Sequence, residues 1–424
     1  MIIKELSLTN FRSYETAHFT FKPGINIIAG VNGAGKSTAL DAIRILMSRA
    51  SREMLKTRES VVDFGLEDIK RMKLFSHLGI NFDLGDETTK VDYLFEGQIN
   101  FDTFVPSKVE GNVRDAGSVV DPGFQFVRPN PMSSPDGDLP LCIFFSAHRS
   151  LLTREASITP VKNAAFHQAL GERRFNLKQA AEWWLAQEAL SSEGERFSLR
   201  YWNIENAIWT FLPEEIGFVR PGYNDDGQPE ILVKKGDDSF DLFSLSYGER
   251  GVIATCMEIA RRLNLAYPDL EDPCEEGSAC ILIDEIELHL HPQWQREVLQ
   301  WLETTFPRCQ FIVTTHSPQV IGEVPHDRVW YVLPGGNPFQ QDRSLGLDSS
   351  RVIEELMGGK ARNIIFEDLI SQISIHIIGE DFPLAREKIE GLKGILGEND
   401  PEVVRMESML IFAEVANDPD SEGK

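Results

Sequence analysis

Alternating apolar and polar positions open the chain. IIKELSLT (residues 2–9) and AHFTFKPGINIIA (residues 17–29) have the period of strands, with Pro23-Gly24 as a turn inside the second. The spacing then changes to that of a helix beginning at Ser37, with Leu40, Ile43, Ile45, Leu46 and Met47 on its apolar side. INFDLGDETTKVDYLFEG (80–97) predicts a hairpin around Gly85-Asp86. Residues 106–140 are rich in Pro, Gly, Ser and Asp and read as a long loop or poorly ordered insertion. LPLCIFF (139–145) predicts a buried strand ending in the polar SAHRS.

Residues 161–212 take up helical spacing, with Trp183, Trp184, Trp202 and Trp209 among the apolar positions. That pattern predicts a helical lobe with the tryptophans in its core. Strand-like alternation returns over 230–245, and GERGVIATCMEIARRLNLA reads as a helix. SACILIDEIE, CQFIVTTHSP and RVWYVLP are continuous apolar strands, the first two separated by the helix QWQREVLQWLETTF. Strand–helix–strand order with such strands predicts a parallel sheet covered on both faces. From about Leu347 the chain reads as helices. The implied organisation is a nucleotide-binding half at 1–150, a helical lobe at 151–229, a second half of the same head at 230–345 and a helical tail at 346–424.

Composition narrows the setting. The net charge is −24, which argues against attraction to nucleic acid over the whole surface. It leaves open a local basic patch around Arg44–Arg58 or Arg149–Arg174. The tail carries 8 basic against 17 acidic residues, a net of −9. Five scattered cysteines without a CxxC pair suit buried thiols in a reducing cytoplasm. No apolar run approaches the roughly 20 residues that cross a bilayer, and no signal-type block opens the chain.

GVNGAGKS (Gly30–Ser37) fits G-x-x-x-x-G-K-[ST] between a predicted strand and a predicted helix. Gly33 and Gly35 would let the backbone close around phosphates, with Asn32, Ala34 and Thr38 beside them. Lys36 would reach the β- and γ-phosphates of ATP, and Ser37 would ligate Mg²⁺. CILIDE (280–285) supplies Asp284 for the Mg²⁺ shell and Glu285 to polarise water. VTTHS (313–317) ends the following strand and would aim His316 at the γ-phosphate, because open α/β sheets bind ligands at that edge. HLHP (289–292) has two histidines but no nearby third ligand, so it reads as a turn into the next helix. SLSYGERG (244–251) is a second anion-binding helix start, carried by Ser246, Gly248 and Glu249.

In this order, GVNGAGKS, LSYGER, ILIDE, ELHLHP and TTHS resemble the ATP-binding-cassette ATPases of the SMC and RecF type. The turn in TNFRSY fits too, and the resemblance implies that Arg12 helps hold nucleotide. It further implies an α/β head with an N-terminal antiparallel part, hydrolysis of ATP, and two heads sandwiching ATP so that the signature acts in trans. At least a dimer follows. The stretches from SLSYGERG to TTHSPQVI are similar to the compact ATPases of bacterial anti-phage systems, the PtuA proteins of Septu and those encoded with retrons. That likeness implies control of a separately encoded effector, often an HNH nuclease. A RecF-like repair ATPase acting directly on DNA is the alternative, and a nearly inert scaffold a third. Two departures stand out. FFSAHRS occupies the place of the family's Q-loop glutamine, leaving Ser146, His148 or Arg149 as substitutes. The helical tail leaves no room for a Toprim nuclease sheet.

Overall fold

The computed structural model describes residues 1–56, 61–85, 87–96, 124–127, 140–153, 164–172, 175–191, 195–213, 216–335, 337–357, 359 and 364–416. The strands are β1 (Ile2–Phe11), β2 (Tyr14–Thr20), β3 (Ile25–Ala29), β4 (Phe75–Leu84), β5 (Glu87–Glu96), β6 (Phe124–Val127), β7 (Cys142–Phe145), β8 (Leu152–Thr153), β9 (Phe175–Asn176), β10 (Phe218–Tyr223), β11 (Pro229–Lys235), β12 (Asp238–Asp241), β13 (Cys280–Ile283), β14 (Gln310–Thr315) and β15 (Val329–Tyr331). The helices are α1 (Lys36–Leu55), α2 (Leu177–Leu190), α3 (Glu195–Phe211), α4 (Tyr247–Ala266), α5 (Pro273–Glu276), α6 (Pro292–Thr305), α7 (Pro318–Ile321), α8 (Ser349–Arg351), α9 (Ile364–Ile378), α10 (Phe382–Leu396) and α11 (Pro401–Ala416).

The fold is α/β. A fully parallel sheet has the order β15-β3-β14-β13-β7, with β3 and β13 side by side with β14. Its central strands are buried at every position, which is why they lack alternation. An antiparallel sheet, β2-β1-β4-β5-β6, covers the N-terminal side. Helix α1 packs between these sheets: Leu40, Ile43 and Met47 share one core with Leu6, Phe19 and Phe82 and with Leu282 and Ile312. A helix so enclosed buries even two of its arginines. Arg44 stacks on the Phe144 ring at 3.8 Å and Arg49 on Tyr93 at 4.5 Å. Arg149 is buried as well. These three arginines therefore do not form the surface patch that the sequence left open.

The hairpin expected at 80–97 is β4–β5, which closes with Leu84 opposite Glu87. The insertion at 106–140 contains a strand, since β6 adds to β5; the rest of that expectation lies outside the described residues, apart from Pro140. Residues 164–170 form turns where helical spacing was read. Their carbonyls go to tertiary partners instead: Ala165 and His167 to Arg262, Ala169 to the Phe144 N–H, and Leu170 to Arg44. Helix α2 starts only at Asn176, whose side chain caps it. The tryptophan expectation fails for two of four. Trp184 is fully buried and Trp183 half-buried, but Trp202 and Trp209 are about 60% exposed.

The chain divides into two compact units, Met1–Val352 and Ile353–Lys424. The second is helical, with Ile373, Ile377, Ile389, Leu392, Val403, Met406 and Leu410 closing a small core of its own. No helix among the described residues is long and apolar enough to cross a membrane. All five cysteines are buried free thiols.

Candidate functional site

Three neighbouring strands end at one edge and deliver the predicted groups together. β3 runs into the loop Gly30–Gly35 and α1. Gly30 is needed because a Cβ there would lie 2.3 Å from the Val332 carbonyl oxygen. Gly33 (φ 77°) and Gly35 (φ 112°) adopt left-handed backbone. Ala34 is buried beneath the loop, while Asn32 and Gly33 face solvent. Tyr14 donates its hydroxyl to the Gly35 carbonyl at 3.0 Å and so braces the loop from the antiparallel sheet.

Lys36 and Ser37 open α1. The Lys36 ammonium donates to the Gly30 and Val31 carbonyls at 2.9 and 3.1 Å, inside the curl of the loop. Burial lowers its pKa, and the carboxylates of Glu287, Glu285 and Asp284 act against that. The Ser37 hydroxyl lies 2.9 and 3.0 Å from the two Asp284 carboxylate oxygens across the strand edge. Thr314, on β14, donates to Asp284 Oδ1 at 2.5 Å and accepts the Glu285 N–H at 2.8 Å. A hydroxyl beside a carboxylate is the hard-oxygen pair that holds Mg²⁺ together with phosphate and water, so these residues fit that ion.

Glu285 has a left-handed backbone, φ 48°. A non-glycine residue stays there only when its surroundings fix it, at a cost of about 1–3 kcal/mol. They do. The Glu285 N–H goes to Thr314, and its carbonyl accepts from Leu288 N at 3.0 Å and from Arg149 at 2.8 Å. Arg149 also holds the Asp284 and Ile286 carbonyls, each at 2.8 Å. Burial pulls the Arg149 guanidinium down to about 10, with Glu287, Asp284 and Glu285 opposing the shift. Of the three residues considered for the Q-loop position, Arg149 is thus a clamp on the acidic turn. Ser146 accepts the His148 N–H locally.

His316 follows β14 on the same edge. Its Nδ1 lies 2.8 Å from Glu287 Oε1, and its backbone N–H reaches the same oxygen at 2.6 Å. Glu287 and Thr314 were not singled out in the sequence, although both lie inside the quoted motifs. Arg12 engages two carboxylates of its own chain. Its guanidinium bonds Asp41 at 2.5 Å and Asp68 at 2.7 Å. Burial opposes its charge, and the two carboxylates outweigh burial and raise the pKa. Thr38 is half-buried in the first turn of α1.

The second glycine turn starts α4. Ser246 is its N-cap and makes a full capping box with Glu249. Glu249 also pairs with Lys235 of β11. Burial raises its pKa, but Lys235 and the Ser246 donors prevail and lower it. Gly248 packs on the HLHP turn: a Cβ there would lie 2.4 Å from the His289 carbonyl oxygen. The His289 ring lies tilted against Tyr247, centroids 5.4 Å apart, and His291 caps α6. Ser246 and Tyr247 remain exposed.

Fold and site together define a P-loop ATPase. The chain belongs to the family described as "AAA domain, putative AbiEii toxin, Type IV TA system", whose profile matches residues 25–322. It is 28% identical over 420 residues to the Retron Ec83 probable ATPase of Escherichia coli, covering 84% of this chain and 76% of that protein. It is 25% identical over 345 residues to the Septu protein PtuA of Bacillus thuringiensis, covering 76% of this chain and 73% of that one. Among solved structures it is similar to an SMC head bound to the C-winged-helix domain of ScpA, at 16% identity and TM-score 0.45, over 80% of this chain and 98% of that one. That last likeness is too loose to add to the assignment.

Proposed function

We propose that the protein hydrolyses ATP between paired heads and thereby regulates a separately encoded effector, an HNH-type nuclease, in anti-phage defence. The observation that carries the chemistry is the convergence of Lys36, Ser37, Asp284, Glu285 and His316 at the ends of β3, β13 and β14. The loop N–H groups and Lys36 hold the β- and γ-phosphates. Ser37 and Asp284 would hold Mg²⁺, which would neutralise charge on the phosphate oxygens. Glu285 takes a proton from water as the water oxygen bonds the γ-phosphorus and the bond to ADP breaks. His316 meets the γ-phosphate. Ser246, Gly248 and the start of α4 complete the site of a second copy, and Glu249 keeps that helix start in shape.

The defence role rests on similarity to retron and Septu proteins. An effector partner also suits the tail, which has acidic helices with Ile378 and Phe412 79% exposed. Phosphate release tests the chemistry. Glu285→Gln should bind ATP but lose at least about 100-fold in turnover, an effect of the size seen for one preorganised catalytic group. Lys36→Ala should lose binding. Equal release by wild type and Glu285→Gln would overturn the reading. Co-purification with the product of the adjacent gene tests the partner: absence of a complex, with no toxic activity in that product, would overturn regulation.

A further inference from the structure

We infer that Glu287 is the positioning residue of His316: its buried carboxylate fixes the imidazole so that Nε2 is the ring nitrogen offered on the open side of the site. The inference rests on the ATPase reading above and adds a residue to it. The water-polarising role belongs to Glu285, yet the carboxylate that meets the histidine is Glu287, two residues further along.

The geometry is specific. One oxygen, Oε1, takes both the His316 backbone N–H and Nδ1, so main chain and ring are held by a single anchor. The Glu287 side chain is 5% exposed and that of His316 43%. The anchor is therefore walled in while the ring stands at the surface. A histidine held at one nitrogen by a carboxylate has its tautomer and orientation set, which leaves the other nitrogen for the substrate. The anchor itself is fixed. The Ile286 N–H bonds the Thr314 carbonyl and the Leu290 N–H bonds the Glu287 carbonyl, so the acidic turn is tied to β14 on one side and folded on itself on the other.

A structural salt bridge alone does not account for two further facts. Glu287 Oε2 is buried with no hydrogen-bond partner among the described residues. Leaving a carboxylate oxygen so placed costs stability, and such costs concentrate at working sites. Glu287 is also the foremost of the carboxylates sustaining the charges of both Lys36 and Arg149. Its charge therefore bears on the phosphate-binding lysine and on the clamp of the acidic turn, while its Oε1 holds His316.

A mutant cycle with two readouts tests this. ATP turnover is measured for wild type, Glu287→Ala, His316→Ala and the double variant, with Glu287→Gln as the conservative replacement. Glu287→Ala and His316→Ala should each lower kcat about 100-fold with KM little changed, the scale of a misplaced catalytic group. The double variant should lose no more than His316→Ala alone, and Glu287→Gln should recover part of the loss because its amide oxygen still accepts from both nitrogens. Proton NMR of histidine-labelled protein supplies the second readout. The hydrogen-bonded Nδ1 proton of His316, identified by its disappearance in His316→Ala, should also vanish in Glu287→Ala. Wild-type kcat in Glu287→Ala, losses that multiply in the double variant, or an Nδ1 signal that survives in Glu287→Ala would each overturn the inference. If Glu287→Ala does not fold, Glu287→Gln replaces it in the cycle, and multiplied losses there overturn it equally. If Lys36→Ala releases phosphate as fast as wild type, the ATPase reading is what fails, and the NMR comparison still decides the contact.

Discussion

Arg149 shows how much one side chain can settle. Its planar fork serves three successive carbonyls at the end of β13, at 2.8 Å each. A lysine ammonium is a point donor and cannot match that fork. Arg149→Lys should leave ATP binding intact and lower kcat roughly 10-fold or more, because the left-handed Glu285 loses a support. Arg149→Ala should cost about 3 kcal/mol of stability, since it leaves buried carbonyls unpaired; chemical denaturation would measure it. Such roles were hard to see in the sequence. Lys36, Ser37, Asp284 and Glu285 announce themselves because each motif is contiguous and flanked by its strand. Arg149 bonds residues 135 to 137 positions away, and Glu287 bonds one 29 away. Spacing within a motif carries no record of such contacts.

At the scale of elements, α4 explains its own glycine. Gly248 approaches the His289 carbonyl so closely that any Cβ would collide with backbone. Gly248→Ala should destabilise the protein by about 1–3 kcal/mol, read as a lower Tm, through overpacking at a backbone contact that cannot swing aside. The signature glycine therefore has a duty inside its own head, beside the one proposed across the dimer. Helix α3 shows where periodicity fell short. Ile204, Ala207, Ile208 and Phe211 make the buried face. Trp202 and Trp209 lie two positions from Ile204 and Phe211, about 200° around the helix, and so emerge on the other side. Helical spacing with the tryptophans among the apolar positions placed them in the core; their angle to the buried face of α3 turns them outward. The turns at 164–170 fell to a different cause, the capture of their carbonyls by Arg262 and Arg44.

For the whole molecule, the exposed Ser246 at the start of α4 is the test of pairing. With Glu285→Gln trapping ATP, mass measurement in solution should show ATP-dependent dimers. Adding Ser246→Arg, whose long cationic side chain would crowd a facing nucleotide site, should keep ATP bound and leave single chains. Dimers that persist with Ser246→Arg would rule out the in-trans signature.

The sequence alone determined the class of site and the kind of sheet. Phosphate loops, acidic strand ends and buried parallel strands are local patterns, and backbone sterics and burial write them into contiguous residues. Tertiary structure decided the rest: that Arg12 spends its charge on Asp41 and Asp68, that Arg149 clamps the acidic turn, that Glu287 holds His316, and which tryptophans face water. Each of these depends on which distant groups come within about 3 Å of one another, the range over which a hydrogen bond acts. Only the folded chain fixes that.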